Sequence, residues 1–531
     1  MKISMKNIEI ILIVILYLSA LYIWTLPIQK NKLPFGDVDA SSHFVIGDYM
    51  ATYDKSIAKV PYPVFSRYGA QNSAFPGYFW YPPQYWTNTG IAQILGGERI
   101  IPVFIFVAIF SSMIVISSYY LIRNLFGFWT AFLSSFLLIF SVRDYMVYLW
   151  GQWPQSLSFA FTPLVLYSFY RYYQNYKENK NKAIYLYILS LFLAAQFFFH
   201  PQGLIASISA LIAFNLILLV KYRKIPFNFK HAFIAFIIFT IISSLFAPFN
   251  VKDFLNSLLP SGQKEDKSIE IDKLFKWYQG IKNDPGLPDF YFTYNRTHGS
   301  LNGGVLSWWT LPLLLLGLFV LMSRRNDKDL LLLSWLVSFY FLTRLVIFGV
   351  GERDIRMFAY EAHVFYPIIA IGAMSINSFI PLKNAEKYGK YILVALFLIL
   401  AVSINGKSAY ETLGGMQYSV GRINPAQYEA AEWIRNNLPQ NADIYDFGTL
   451  GYQYYGGKVK WLGVLSQRHF VVEDREINQT DYVFVDYSDV LLLKSQEYAN
   501  LIQNFETSFQ NLRPVYNNNN IRIYEVSGMK I

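Results

Sequence analysis

No cysteine occurs among the 531 residues of the chain, so a disulfide scaffold, a thiolate metal site and a thiol nucleophile are excluded. Charge is the second scarcity. Only 15% of residues are Asp, Glu, Lys or Arg while 54% are hydrophobic, whereas a soluble domain carries nearer a quarter charged. With a mean hydropathy of +0.28, the chain reads as a membrane protein. Three catalytic signatures are also missing: there is no Gly-x-x-x-x-Gly-Lys-Ser/Thr phosphate loop, no His-Glu-x-x-His zinc helix and no Gly-x-Ser-x-Gly nucleophile elbow. An ATP-hydrolysing pump, a zinc protease and a serine hydrolase lose ground accordingly. The formal charge of +10 does not point to nucleic acid, because the basic residues gather between hydrophobic runs instead of forming one stripe. Abundant Ile, Tyr, Lys and Asn suit an AT-rich genome, and the lack of Cys is compatible with a heat-adapted archaeon.

What is present is a series of apolar runs at 8–26, 100–122, 128–141, 154–170, 183–199, 203–220, 231–248, 306–322, 330–348, 360–380 and 391–404. They read as about eleven transmembrane helices, sized for a hydrocarbon layer of about 30 Å. The first follows Lys2 and Lys6 without a small-residue cleavage site, which marks a retained anchor. An inside N-terminus places Lys2, Lys6, Arg123, Arg171, Lys177, Lys180, Lys182, Lys221, Arg223, Lys224, Lys230, Arg324, Arg325, Lys328, Lys383, Lys387 and Lys390 inside. The short outer connections then carry only Arg143, Arg353 and Arg356, as the positive-inside rule requires. This N-in/C-out arrangement leaves three pieces outside: loops 27–99 and 249–305, and all that follows the transmembrane domain, 1–404. Two Asn-x-Thr sequons, at Asn295 and Asn478, fall in those pieces. Segment 405–531 reads as a small extracytoplasmic α/β domain, with a helix over 426–438 stopped by Pro439 and strands at 443–447, 469–472, 481–485 and 521–526. No internal repeat is visible, and the one low-complexity tract is Asn517–Asn520.

The chemistry-bearing residues cluster where the spans meet the outer side. Asp37, Asp39 and His43 lie in Leu33-Pro-Phe-Gly-Asp-Val-Asp-Ala-Ser-Ser-His-Phe44. Asp39 and His43 are four apart, so a helix starting near Ala40 puts both on one face, with Asp39 at the favourable N-terminal end. A carboxylate beside a second carboxylate and an imidazole suits removal of a proton from a hydroxyl, or binding of a divalent cation such as magnesium or manganese by Asp37 and Asp39. The competing reading is a solvated helix cap. Tyr81 and Trp86 belong to an aromatic and proline-rich stretch, 77–86, suited to stacking on a sugar or to seating at the membrane interface. In Gly349-Val-Gly-Glu-Arg-Asp-Ile-Arg356, Arg353 and Arg356 are three apart and suited to a phosphate; the alternative is an exposed turn pairing with Glu352 and Asp354. Glu361 and His363 follow inside a span, where ionisable groups tend to be functional. His200 and Arg143-Asp144 sit at outer span ends, placed to line the same cavity.

Taken together, Phe35-Gly-Asp-x-Asp-x-x-x-His43, Tyr81-Pro-Pro83, Gly151-Gln-Trp-Pro154, His200-Pro201 and Ala431-Glu-Trp-Ile-Arg-Asn-Asn-Leu-Pro439 resemble the GT-C-fold membrane glycosyltransferases. The similarity is strongest to a branch known as "6-pyruvoyl-tetrahydropterin synthase-related membrane protein", a label these residues do not support, since a soluble pterin enzyme has no use for eleven spans. The resemblance implies a mainly α, polytopic plasma-membrane enzyme whose active site faces outside. It would take a sugar from a polyprenyl- or dolichol-phosphate-linked donor to a glycan, lipid or protein acceptor. By position, the acidic base or metal ligand of the first outer loop falls on Asp39 or Asp37, and the donor phosphate falls on Arg353 and Arg356. Glu352, Glu361, His363, Tyr81, Trp86 and His200 are expected around the substrate. Oligosaccharyltransferases of the class carry a Trp-Trp-Asp motif in the soluble domain, whereas here Trp308-Trp309 precedes Thr310, so transfer of a single sugar is expected. The rival reading is a non-catalytic transporter, flippase or surface-layer scaffold. Transporters more often show repeated halves and Gly- or Pro-broken spans near the midplane, whereas here the polar groups gather at the outer edge, which weighs against a transporter.

Overall fold

The computed structural model describes residues 5–36, 38–53, 84–180, 182–245, 308–343, 362–379, 383–414, 423–446, 456–471, 480–487 and 512–526, with Asn500, Gln503, Asn504 and Thr507. The protein is mostly helical, and each expected apolar run overlaps a helix among the described residues. Four stretches are long and apolar enough to cross a membrane unaided: Asn7–Lys30, Ile101–Phe126, Pro201–Tyr222 and Tyr391–Glu411. A fifth is counted if Phe128–Leu138 and Arg143–Leu149, bent by 46°, form one broken span. Ile184–Phe199, Phe229–Ser244, Leu311–Arg324 and Phe365–Ser375 are shorter apolar helices, so helix length by itself gives fewer spans than the eleven expected. The run expected at 154–170 is divided into Trp153–Ser158 and Phe161–Lys177. Pro154 and Pro163 each fall in the first turn of one of these helices, where a proline costs no backbone hydrogen bond.

The outside of the bundle is apolar. Met5–Lys30 buries Leu16, Ala20 and Trp24 while exposing Ile10, Ile11, Val14, Ile15 and Leu18, and Pro201–Tyr222 exposes Ile208, Ile212, Leu216 and Leu219. Stripes of this extent mark a membrane-facing surface. Inside, helices approach closely where side chains vanish. A Cβ at Gly317 would lie 2.1 Å from the Ile368 carbonyl oxygen, and one at Gly372 would lie 1.9 Å from that of Leu313. Both positions thus require glycine for Leu311–Arg324 to touch Phe365–Ser375. Gly372→Leu is expected to cost about 1–3 kcal/mol or more by overpacking, read as a lowered thermal-unfolding midpoint in detergent; an unchanged midpoint would show that the crossing is not tight.

Basic residues of the expected inner segments meet at one end of the bundle. Asp327 accepts from Lys177 Nζ at 2.8 Å, Lys221 Nζ at 3.3 Å, the Tyr173 hydroxyl at 3.2 Å and the Tyr222 hydroxyl at 2.6 Å. Arg324 and Lys328 lie over the Phe126 ring, and nearby Arg123 pairs with Glu9 at 2.6 Å. Because Ile101–Phe126 has 26 residues, its other end lies about 39 Å away at the 1.5 Å helical rise.

The C-terminal segment carries a five-stranded sheet, made of β1 (Asp443–Asp446), β2 (His469–Val471), β3 (Tyr482–Asp486), β4 (Tyr516–Asn517) and β5 (Ile521–Glu525), in the order β2-β1-β3-β5-β4. β1 runs parallel to β2 and β3, and β5 runs antiparallel to β3 and β4. The helix Pro425–Asn437 opens as expected, with Asn424 and Gln427 in a capping box and Pro425 in the first turn. Parallel β1 and β2 need a crossover, and the helix Gly456–Ser466 supplies it. That helix gave no sequence signal, since it begins with two glycines. The asparagine tract is a hairpin turn: Asn519 has φ 69°, and the Asn518 side chain accepts from the Asn520 and Ile521 amides. Asparagine tolerates this left-handed geometry better than most residues.

Candidate functional site

The helix Val38–Tyr53 carries Asp39 in its first turn and His43 one turn later, as their spacing predicts. Two glycines set where it starts. Gly36 has φ 110°, and a Cβ there would lie 2.5 Å from Ala40 Cβ; Gly151 has φ 78°, and its Cβ would lie 2.2 Å from the Ala40 amide nitrogen. The motifs Phe35-Gly36-Asp37 and Gly151-Gln-Trp-Pro154, more than a hundred residues apart, therefore meet at Ala40. Phe35 is buried against Phe104 and Tyr148, and Phe104 stacks edge-on against Trp153. Gly151→Ala forces a side chain into a left-handed backbone and into Ala40 at once. It is expected to destabilise the fold by about 1–3 kcal/mol and to depress activity further by displacing Asp39. Equal losses of folded protein and activity would contradict the second effect.

Along this helix the residues differ in access. Asp39 is half-buried, whereas His43 and Asp48 are buried. Trp86 Nε1 donates to His43 Nδ1 at 3.3 Å, and since an indole nitrogen only donates, His43 Nδ1 accepts and the neutral ring holds its proton on Nε2. Tyr85 packs edge-on against the same imidazole. Trp86 thus orients the histidine. Asp48, set beside the candidate pair in sequence, is occupied elsewhere. Arg99 grips it with Nη2–Oδ2 at 2.7 Å and Nε–Oδ1 at 2.8 Å, and the Gln93 and Gln467 amides donate to it as well. Arg99 also reaches Glu432 Oε1 at 2.7 Å and the Leu465 carbonyl. Burial by itself would lower the Arg99 pKa, but Asp48 and Glu432 outweigh it and hold the group above its ordinary value.

A second buried constellation lies on the helix Val142–Leu149, whose last carbonyl faces Gly36. His363 Nε2 donates to Asp144 Oδ1 at 2.7 Å with both side chains buried, and Asp144 Oδ2 has no hydrogen-bond partner among the described residues. Arg143 is buried beside the Phe339 and Phe365 rings. Asp144 and His363 are 219 residues apart, so their pairing was invisible in sequence. The available signal was an adjacent Arg-Asp pair in an apolar run. His200 accepts from the Gln202 amide as the N-cap of Pro201–Tyr222, a structural assignment that the His-Pro order suits. Asp37, Tyr81, Glu352, Arg353, Arg356 and Glu361 lie outside the described residues. Among the described residues no group of three or more His, Asp or Glu side chains gathers in a way that could hold a metal ion, and Asp37 is the missing half of the pair expected to do so.

Comparison with known proteins supplies the fold. Residues 82–247 match the family described as Dolichyl-phosphate-mannose-protein mannosyltransferase. No curated protein matches the chain significantly. The archaeal oligosaccharyltransferase AglB from Archaeoglobus fulgidus, solved with an inhibitory peptide and a dolichol-phosphate, superposes with a TM-score of 0.59 at 14% identity, covering 93% of this chain and 71% of that one. The same enzyme in its apo form gives a TM-score of 0.56 at 14% identity, with 93% and 71% covered. ArnT from Cupriavidus metallidurans gives a TM-score of 0.59 at 10% identity, covering 96% of this chain and 97% of that one. The chain is a membrane protein with the GT-C fold of these glycosyltransferases, and its segment 82–247 matches the dolichyl-phosphate-mannose-protein mannosyltransferase family.

Proposed function

We propose that the protein is a membrane glycosyltransferase that moves one sugar from a polyprenyl-phosphate donor to a glycan, lipid or protein acceptor on the outer face of the plasma membrane. The observation that carries this reading is Asp39: a half-buried carboxylate in the first turn of a helix whose start is fixed by Gly36 and Gly151, one turn from an imidazole oriented by Trp86. Its fold is that of an enzyme solved with a dolichol-phosphate, and the family that matches residues 82–247 is named for mannosyl transfer from dolichyl-phosphate-mannose to protein. The C-terminal segment acts as an extracytoplasmic domain, and the end of the bundle holding Asp327 faces inside, where the positive-inside rule puts its lysines.

Asp39 takes the proton from an acceptor hydroxyl, whose oxygen attacks the anomeric carbon. The bond from that carbon to the phosphate oxygen breaks, its electron pair leaves with the lipid phosphate, and the anomeric centre inverts. Arg353 and Arg356 hold the departing phosphate, where fixed positive charge is typically worth several kcal/mol of barrier. A divalent cation held by Asp37 and Asp39 would add to that stabilisation. The test is transfer of labelled sugar from polyprenyl-phosphate donors by the purified protein, with and without a chelator. Donor binding without transfer to any glycan, lipid or peptide acceptor would overturn the enzyme reading in favour of a transporter or scaffold.

A further inference from the structure

The helix that gave no signal in sequence, Gly456–Ser466, lies against the site helix from one end to the other. At the start, Trp461 Nε1 donates to the Gly36 carbonyl at 3.1 Å. Its ring is fully buried against Phe44 and Phe104. At the far end, Gln467 donates to Asp48 Oδ2 at 3.1 Å and accepts from the Tyr53 hydroxyl at 2.6 Å. The base of this brace is itself fixed. Arg468 donates to the Arg435 and Leu438 carbonyls at 2.9 and 2.5 Å, satisfying the last carbonyls of Pro425–Asn437.

The two ends differ in what they hold. Gln467 and Tyr53 meet where Asp48 is already gripped by Arg99. Trp461 holds a peptide that turns through a left-handed conformation just before the site helix: Gly36, three residues from Asp39. Glycine has the widest backbone freedom of any residue, so an otherwise loose hinge is restrained there by an indole from a segment more than 400 residues away. We infer that Trp461 is a positioning residue for the site: through the Gly36 carbonyl it fixes the direction in which Asp39 is presented. The C-terminal segment thereby becomes part of the active arrangement instead of an appended domain. This inference rests on the glycosyltransferase reading only for its catalytic consequence, not for the restraint itself.

The test compares W461F, which keeps an aromatic ring and removes the N–H, with Y53F, which removes the hydroxyl that donates to Gln467 and accepts from Gln440 at the other end of the same brace. Both are made in the full-length protein in detergent. Amide hydrogen exchange over residues 33–44 is expected to quicken about tenfold in W461F and to stay at the wild-type rate in Y53F. Turnover is expected to fall about tenfold or more in W461F with donor KM unchanged, since small misplacements of a reacting group act on kcat, while the thermal midpoint falls because a fully buried indole is replaced by a smaller ring. Unchanged exchange in W461F, or equal acceleration in Y53F, overturns the restraint whatever the activity. Faster exchange with wild-type kcat overturns the catalytic consequence. Faster exchange in a protein whose wild type transfers no sugar leaves the restraint standing and sinks the glycosyltransferase reading. Should W461F fail to accumulate, site-specific replacement of Trp461 by benzothienylalanine, which has the indole shape without the N–H, permits the same comparison.

Discussion

Asp39→Asn is expected to remove sugar transfer while leaving a folded, donor-binding protein. The substitution keeps the size and polarity of the side chain but takes away the base, and a positioned general base contributes about 10²- to 10⁴-fold to rate. Stability should change little. Asp39 is half-buried in a first helical turn, where the loss of a negative charge costs about 0.3–1 kcal/mol. The measurement is initial rate with a labelled polyprenyl-phosphate sugar, paired with the thermal midpoint of the same preparation. Asp144→Asn made in parallel sharpens the result: Asp144 is buried against His363, so its loss should lower the midpoint as well as the rate. An active Asp39→Asn enzyme would remove Asp39 from the mechanism.

Arg99→Met is expected to have the largest effect on folding. Asp48 is fully buried and Arg99 mostly so, and removing one partner of a buried pair costs about 3–5 kcal/mol because the remaining charge is stranded. Two neutral amides, from Gln93 and Gln467, would be left to hold the carboxylate. Arg99 also binds Glu432 on the helix Pro425–Asn437, so the contact between the site helix and the C-terminal segment should loosen together with the local fold. Adding Asp48→Asn to Arg99→Met removes the stranded charge and should recover part of the loss. The check is a double-mutant cycle on thermal midpoints in detergent, and a single Arg99 variant that melts like the wild type would refute the assignment.

Local patterns were legible because they depend on residues close in the chain. The spacing of Asp39 and His43 foretold their shared helix face, the apolar spacing of 426–438 before Pro439 foretold the helix Pro425–Asn437, and apolar runs foretold where many of the described helices lie. The strands β1, β2, β3 and β5 were visible from their β-branched and aromatic runs. β4, two residues long, and the glycine-led helix Gly456–Ser466 were not, since neither carries a periodic pattern long enough to register.

The sequence by itself determined the solvent and the class of element: 54% hydrophobic residues in long runs can only be satisfied by helices in lipid, and the positive residues between them sort into a plausible topology. It also supplied Asp39, the carboxylate on which the proposed mechanism turns. Tertiary structure alone decided what surrounds that carboxylate. Gly36 and Gly151 meet at Ala40, Trp86 turns His43, Asp144 finds His363, and Trp461 reaches the Gly36 carbonyl. Each of these contacts joins residues 43 or more positions apart, except Gly36 with Ala40. Their existence depends on how helices cross, and no local propensity encodes which side chain from a distant segment will close a given gap.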